Sequence, residues 1–521
     1  MSEGWSRMAP LTRLLLVGVA LRLLAAWGSP GYLMHDDHFL VVEAAASWTD
    51  GADYNLWLPW SQIERGLEPQ PHPANFFYVG TQFVTLTALK AAGLTAPKHL
   101  AFALRLLHGL YSLLIIVFTY RIAEALSGRN IAWWAGGLVA IWGWMPLLSV
   151  HQLVELVCIP PLLFSAWQLV RTPRSEWTVK QIVLAGIGLG LATGIRYQCG
   201  LFGVGWGLAL LWPSGEHKKI QLKHPFILSI SSLVVFSLTQ ISDVFVWGEP
   251  FVQLRAYFGY NTTHAMNYPQ GPWHQYMWTV LGLATPPVGF ALVWGMFVRR
   301  VKFEHWRWLL WGTLAFFVFH SAYSNKQERF ILPVMPFLAV LGSAGWAAWM
   351  ERSAWWKERP KAMRGVVGWT VGFNLVCAIG LGFVYAKKSR VEAMDLLYQR
   401  GDLRNFAIVQ VDGGTLPPRF YAGQWVPYFT FDHESDPAGE RNTLCKLAPE
   451  RPFPNYLLFY GNAHLGEAVQ AFKAEWPNLR FVANVAPGRF DRLLAWLNPI
   501  NRAERVVIYS VEEDACCGQD L

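Results

Sequence analysis

LTRLLLVGVALRLLAAW (residues 11–27) gives way within a few positions to YLMHDDHFLVVEAA (residues 32–45). The first stretch is apolar apart from Arg13 and Arg22 and is long enough to cross a bilayer. The second sets Asp36 and Asp37 side by side between His35 and His38. Adjacent carboxylates repel one another and cost energy to desolvate, so they add little to stability. The plain reading is a polar loop closing a membrane helix. The rest of the chain decides whether the pair does more.

Apolar runs such as HGLYSLLIIVFTY (108–120) recur to about residue 386. The 521 residues are 53% hydrophobic and only 15% charged, well below the quarter usual in soluble domains. These features predict a polytopic α-helical membrane protein. A net charge of +8 raises the question of nucleic acid. The basic residues instead sit in short connections between apolar runs, which fits topology and excludes a nucleic-acid stripe. The first run stays as an anchor, with no small-residue cleavage site after it. Of six cysteines, Cys158, Cys199 and Cys377 fall in apolar segments, and Cys445, Cys516 and Cys517 lie near the end. No CxxC spacing occurs, so they make no framework, zinc site or redox motif.

Lys and Arg cluster in 121–130, 171–180, 213–224, 299–307 and 351–364. The positive-inside rule places these in the cytoplasm with the N-terminus. Parity then allows one span between 75 and 121, so 75–93 is expected as an amphipathic helix on the outer face. Spans at 12–28, 100–121, 131–147, 152–170, 181–196, 198–212, 225–247, 276–298, 308–323, 331–350 and 365–386 follow, about eleven in all. Residues 1–386 form the membrane domain, with an outer loop at 28–99. Residues 387–521 form an outer soluble domain, where FAIVQV, YLLFYG, LRFVANV and RVVIYSV read as strands among helices, an α/β pattern. It carries no glycine-rich phosphate loop or nucleophile elbow.

With this topology, His151, Glu155, Arg196, Asp243, Lys326, Glu328 and Arg329 gather at span ends on the face that carries the aspartates. Charges there pair, snorkel or work. Carboxylates near basic groups at a membrane surface suit glycosyl transfer from a lipid-phosphate sugar. Arg and Lys stabilise the departing phosphate, and an ionised Asp takes the acceptor's proton.

MHDDHFLVVEAA resembles the HPDE-type sequence of family 22 glycosyltransferases, including the trailing glutamate, here Glu43. NKQERFILPVMP (325–336) is similar to their HKE-x-RF-x-x-P-x-x-P signature, with Asn325 for His and Gln327 for the first Glu. The stretch from Asp243 through WGEP, Asn261 and GPWHQY (271–276) resembles their D…G…N…HPWHWY, and HQLVE (151–155) and IRYQ (195–198) echo the pattern more weakly. The likeness runs over residues 10–350 in consistent order. The Pro of HPDE is absent and its Glu is replaced by Asp37.

This resemblance implies the GT-C fold and a mannosyltransferase that uses dolichyl- or polyprenyl-phosphate mannose, with no cofactor and no metal. It implies a lipid-linked or glycolipid acceptor, with Asp36 or Asp37 as catalytic base, Asp36 preferred. Arg329, Lys326, Arg196 and His274 are implied for the donor phosphate, and Trp273 and His274 for the sugar or acceptor pocket. Glu328, Glu155 and Glu43 join the substrate-binding set. The expected partners are the lipid donor, the glycan acceptor and membrane lipids. The chain closes CCGQDL with no retrieval signal, which leans toward a bacterial inner membrane with a periplasmic site, the ER lumen being the alternative. Rival readings are a transporter or flippase, for which no internal repeat is found, a metal-dependent hydrolase, and a protein-directed GT-C transferase.

Overall fold

A computed structural model describes residues 8–211, 222–298, 303–432, 434–447, 453–476, 478–499 and 501–511. Residues 213–221 and 299–302 of the expected basic connections, and Cys516 and Cys517, lie outside this set. The chain divides into two compact units. The helical unit comprises the chain up to Gly28, Asn55–Thr81 and Leu104–Phe383. The sheet unit takes Ser29–Tyr54, Gln82–Ala103 and the chain from Val384 onward. The HDDH stretch thus belongs to the same unit as the C-terminal sheet.

Among the described residues, five helices are long and apolar enough to cross a membrane: Pro10–Gly28, Pro97–Ser127, Lys223–Trp247, Glu328–Arg352 and Pro360–Leu381. A sixth candidate is the pair Gln275–Leu283 and Val288–Phe297, bent by 116° at its break. Val154–Val170, Val179–Ile195 and Tyr197–Leu211 are apolar but shorter. These helices make the chain an integral membrane protein.

The stretch expected as an outer amphipathic helix is the helix Phe76–Ala91. It starts there because Asn75 Oδ1 accepts from Phe77 N at 2.9 Å, satisfying one of the amides a first turn leaves unpaired. Within the helical unit, Met335–Arg352 is buried along most of its length and forms the axis. Helix Val179–Ile195 packs on Lys223–Thr239 through Gly186, Gly190 and Gly194. A Cβ on Gly190 would stand 2.5 Å from Ser232 O. Such small-residue stripes let helices approach closely where hydrophobic association is weak.

In the sheet unit, strands β1 (Phe406–Gln410), β2 (Tyr428–Asp432), β3 (Tyr456–Gly461), β4 (Leu479–Val485) and β5 (Arg505–Val511) form one mixed sheet in the order β2-β1-β3-β5-β4. β1 pairs in parallel with β2 and β3, and β5 runs antiparallel to β3 and β4. Alternate residues Ala407, Val409, Leu457, Phe459, Val507 and Tyr509 build a core on one face with Phe472 and Trp476. Trp476 is fully buried, and its indole N–H donates to Pro437 O at 2.9 Å, so the ring carries no unpaired donor. The other face packs under helix Lys388–Arg400 through Val391, Met394 and Leu397. β2 was not expected from the sequence: YFTFD is short, follows Pro427 and lies at the sheet edge. Cys445 is disulfide-bonded, which corrects the expectation of no disulfide. Cys158, Cys199 and Cys377 are free.

Gly190→Leu is expected to destabilise the helical unit by about 1–3 kcal/mol through overpacking. Gly207→Leu, with nothing within 4 Å of the added atom, should be near neutral. Thermal unfolding in detergent measures both.

Candidate active site

The HDDH stretch is helical rather than a loop. Residues Asp37–Glu43 form a π-helical segment that continues into the helix Ala44–Thr49. Asp36 has helical dihedrals just ahead of it, with φ −62° and ψ −47°. Successive residues of a helix point about a quarter-turn apart, so the two carboxylates leave in different directions. Asp37 is buried, whereas Asp36 is partly exposed. His35 is exposed, and its ring lies 4.5 Å from the Phe39 ring at a tilt of 40°. π-segments are rare and concentrate at functional sites.

Glu43, at the end of this segment, has no exposed surface. Its Oε1 accepts from the backbone N–H of Phe420 at 3.0 Å, across 377 residues of sequence. The same oxygen lies 3.3 Å from His38 Nε2. His38 is held between two rings, Tyr32 at 4.2 Å and Tyr421 at 5.6 Å, both nearly parallel to it. The Tyr54 hydroxyl donates to Phe39 O at 2.8 Å. Burial, reinforced by Glu43, pushes that phenol well above its usual range. The Arg419 guanidinium covers the Tyr54 ring at 4.6 Å and the Tyr428 ring at 5.2 Å. Glu43 therefore anchors the aspartate-bearing segment to the C-terminal part of the chain. Tyr54, Phe420 and Tyr421 were missed from the sequence because no local spacing links them to residue 43.

In the helical unit, three residues expected in the site come together. Glu155 opens the helix Val154–Val157, Arg196 interrupts the apolar helices Val179–Ile195 and Gly200–Leu211, and Arg329 lies in the 3-10 stretch Glu328–Val334. Arg196 Nη1 is hydrogen-bonded to Glu155 Oε1, and Arg329 Nε lies 3.7 Å from the same oxygen. Arg329 Nε also donates to Gln327 Oε1 at 3.0 Å, so the Gln that replaces the family's Glu orients this arginine. Both guanidiniums sit near the Phe330 ring, at 4.9 Å for Arg196 and 5.8 Å for Arg329. Two guanidiniums thus share one buried carboxylate oxygen. Arg196 Nε and Nη2 are buried with no hydrogen-bond partner among the described residues, as is Glu155 Oε2. Unmet buried donors of this kind are costly unless an acceptor reaches them.

The other expected residues are placed differently. Lys326 donates its ammonium protons to the carbonyls of His320 at 2.8 Å, Ser321 at 2.9 Å and Tyr323, closing the end of helix Phe303–Ala322. Glu328, Trp273 and His274 are exposed. Asp243 is fully buried and accepts from Gln253 N at 3.1 Å, tying down the first turn of helix Val252–Thr263. Gln253 Oε1 in turn accepts from Phe76 N at 3.2 Å. Among the described residues, no three His, Cys, Asp or Glu side chains gather as a metal-ligand set.

Glu43→Ala leaves the Phe420 amide buried and unpaired, an expected loss of about 1–3 kcal/mol. Glu43→Gln, which keeps an acceptor there, should lose less. Thermal unfolding of the two variants beside the parent checks the order.

Residues 14–411 match the Alg9-like mannosyltransferase family. The chain is 22% identical over 354 residues to Mannosyltransferase APTG1 of Arabidopsis thaliana, covering 66% of this chain and 60% of that protein. It is 20% identical over 390 residues to GPI mannosyltransferase 3 of Yarrowia lipolytica, covering 74% and 70%. The chain thus spans three-fifths of the Arabidopsis relative's length. Among solved structures, ArnT from Cupriavidus metallidurans bound to undecaprenyl phosphate superposes with a TM-score of 0.61 at 13% identity, over 100% of both chains. The archaeal oligosaccharyltransferase AglB from Archaeoglobus fulgidus, in complex with an inhibitory peptide and a dolichol-phosphate, gives 0.55 at 11% identity, over 86% of this chain and 69% of that one. These likenesses show a shared GT-C fold. The segment carrying the aspartate pair and the NKQERF stretch both fall inside the matched residues, and the chain belongs to the Alg9-like mannosyltransferase family.

Proposed function

We propose that the protein is a membrane mannosyltransferase that moves mannose from a polyprenyl- or dolichyl-phosphate donor to a lipid-linked or glycolipid acceptor. Family membership sets the reaction class. The observation that carries the donor chemistry is the Glu155–Arg196–Arg329 cluster, with its two buried Arg196 N–H groups unmet among the described residues. A lipid phosphate supplies the acceptor oxygens those groups lack, and its charge rises as it leaves. That ArnT and AglB were solved with polyprenyl phosphates supports the same donor class.

In the reaction, an acceptor hydroxyl oxygen attacks the anomeric carbon and the bond from that carbon to the phosphate oxygen breaks. Asp36 takes the hydroxyl proton, and the arginines receive the phosphate. Asp36 suits the base because it is partly exposed, while Asp37 is buried. This single displacement inverts the anomeric centre and calls on no metal. Arg196 and Arg329 are the preferred phosphate ligands. Lys326 is engaged as a helix cap and serves the site by holding the NKQERF stretch. Exposed His274, Trp273 and Glu328 are left for acceptor contacts. The disulfide at Cys445 supports an oxidising side for the C-terminal region, hence a periplasmic or ER-lumenal site.

Asp36→Asn is expected to lower transfer at least a hundredfold without changing thermal stability, within the range set by loss of a general base. Asp37→Asn should fall to a similar or lesser degree. Arg196→Lys, which replaces a planar fork by a point charge, should raise the KM for the lipid donor about tenfold or more. Labelled polyprenyl-phosphate mannose and a membrane acceptor extract, with a chelator present, provide the assay. Normal transfer by Asp36→Asn would overturn the base assignment.

A further inference from the structure

We infer that the helix Arg489–Leu497 of the sheet unit docks onto the surface of an anionic phospholipid bilayer. The sequence RFDRLLAWL is amphipathic, but one apolar stripe faces outward. Leu493, Trp496 and Leu497 are 49%, 79% and 63% exposed. They stand at i, i+3 and i+4, so they share one side of the helix. A cluster of large apolar groups left in water is unfavourable, and a Trp beside basic residues is the usual composition of an interfacial helix.

The charge around the stripe has one sign. Over residues 486–505 the exposed charges are Arg489, Arg492, Arg502 and Arg505. The two carboxylates of that stretch, Asp491 and Glu504, are turned inward and used up. Asp491 accepts from Lys387 N at 2.8 Å and Lys388 N at 3.1 Å. Glu504 is paired with Arg390 at 2.7 Å, accepts from Thr415 and lies 4.0 Å from Arg502, which leaves Arg489, Arg492 and Arg505 as the rim. What remains outside is a basic rim around an apolar stripe, complementary to lipid phosphates. Arg492, Trp496, Arg505, Pro487 and Asn462 also line an open cavity of about 460 Å³ beside the helix, roomy enough for a phospholipid headgroup.

Chain connectivity tethers this surface to an apolar helix long enough to cross a membrane. Lys387 follows the end of the apolar helix Pro360–Leu381 by six residues. An extended chain of that length reaches about 20 Å. The first turn of helix Arg489–Leu497, fixed to Lys387 by Asp491, is therefore tethered within that reach of the point where the last long apolar helix ends.

The full-length protein in nanodiscs tests this, with Trp496→p-benzoylphenylalanine as the photo-crosslinking variant and Lys446→p-benzoylphenylalanine on the exposed side of another helix as control. Adding phosphatidylglycerol to phosphatidylcholine should give lipid adducts at position 496 at least fivefold above position 446. Arg489→Ala and Arg492→Ala together should remove most of the phosphatidylglycerol dependence, since each basic group near an anionic surface is worth roughly a fivefold change in occupancy. Equal adducts at the two positions would overturn the assignment. So would adducts at 496 only to protein or glycan.

Discussion

A carboxylate with no exposure to solvent sets the geometry of the aspartate pair. Glu43 is too costly to bury alone, so its surroundings are organised to receive it. The Phe420 amide donates to it, His38 lies beside it between two tyrosine rings, and the Tyr54 phenol rests against it. The π-helical segment that ends at Glu43 begins next to Asp36, so whatever fixes the glutamate fixes the turn from which the aspartates project. The C-terminal part of the chain is in this sense a support for the aspartate-bearing segment.

A second buried carboxylate plays the opposite part in the helical unit. Glu155 gathers Arg196 and Arg329 on one oxygen. Its use is to hold guanidiniums near apolar surroundings where an anion would meet them strongly. Gln327 adds a second hold on Arg329, and Lys326 pins the start of that stretch to the preceding helix. In the proposed reaction, groups held in this way need little reorganisation as phosphate charge develops.

Much of this was legible in the sequence, and the exceptions have physical causes. Apolar runs and basic connections gave the membrane character, because backbone burial in lipid permits few alternatives. Four of the five strands read directly from their β-branched and aromatic runs. β2, YFTFD, is also aromatic, but it directly follows Pro427 in a turn-rich stretch and was not expected as a strand. The motif residues Glu155, Arg196 and Arg329 were found, but not that they share one oxygen, since pairing across separate helices leaves no mark in local spacing. Likewise, nothing near residue 43 announces Phe420. Lys326, implied for the donor phosphate by its motif, and Asp243, one of the charges at span ends, are spent on helix ends. Their role depends on which backbone groups the fold leaves unpaired, and that is visible only once the chain is folded.

The measurement that bears most directly on the central claim is the anomeric configuration of the transferred sugar. Purified wild-type protein in lipid would be given polyprenyl-phosphate mannose and acceptor extract, and the product linkage read by nuclear magnetic resonance against the donor. One base and one displacement require inversion. A product that keeps the donor's configuration would demand a covalent or dissociated intermediate and would contradict the role given to Asp36.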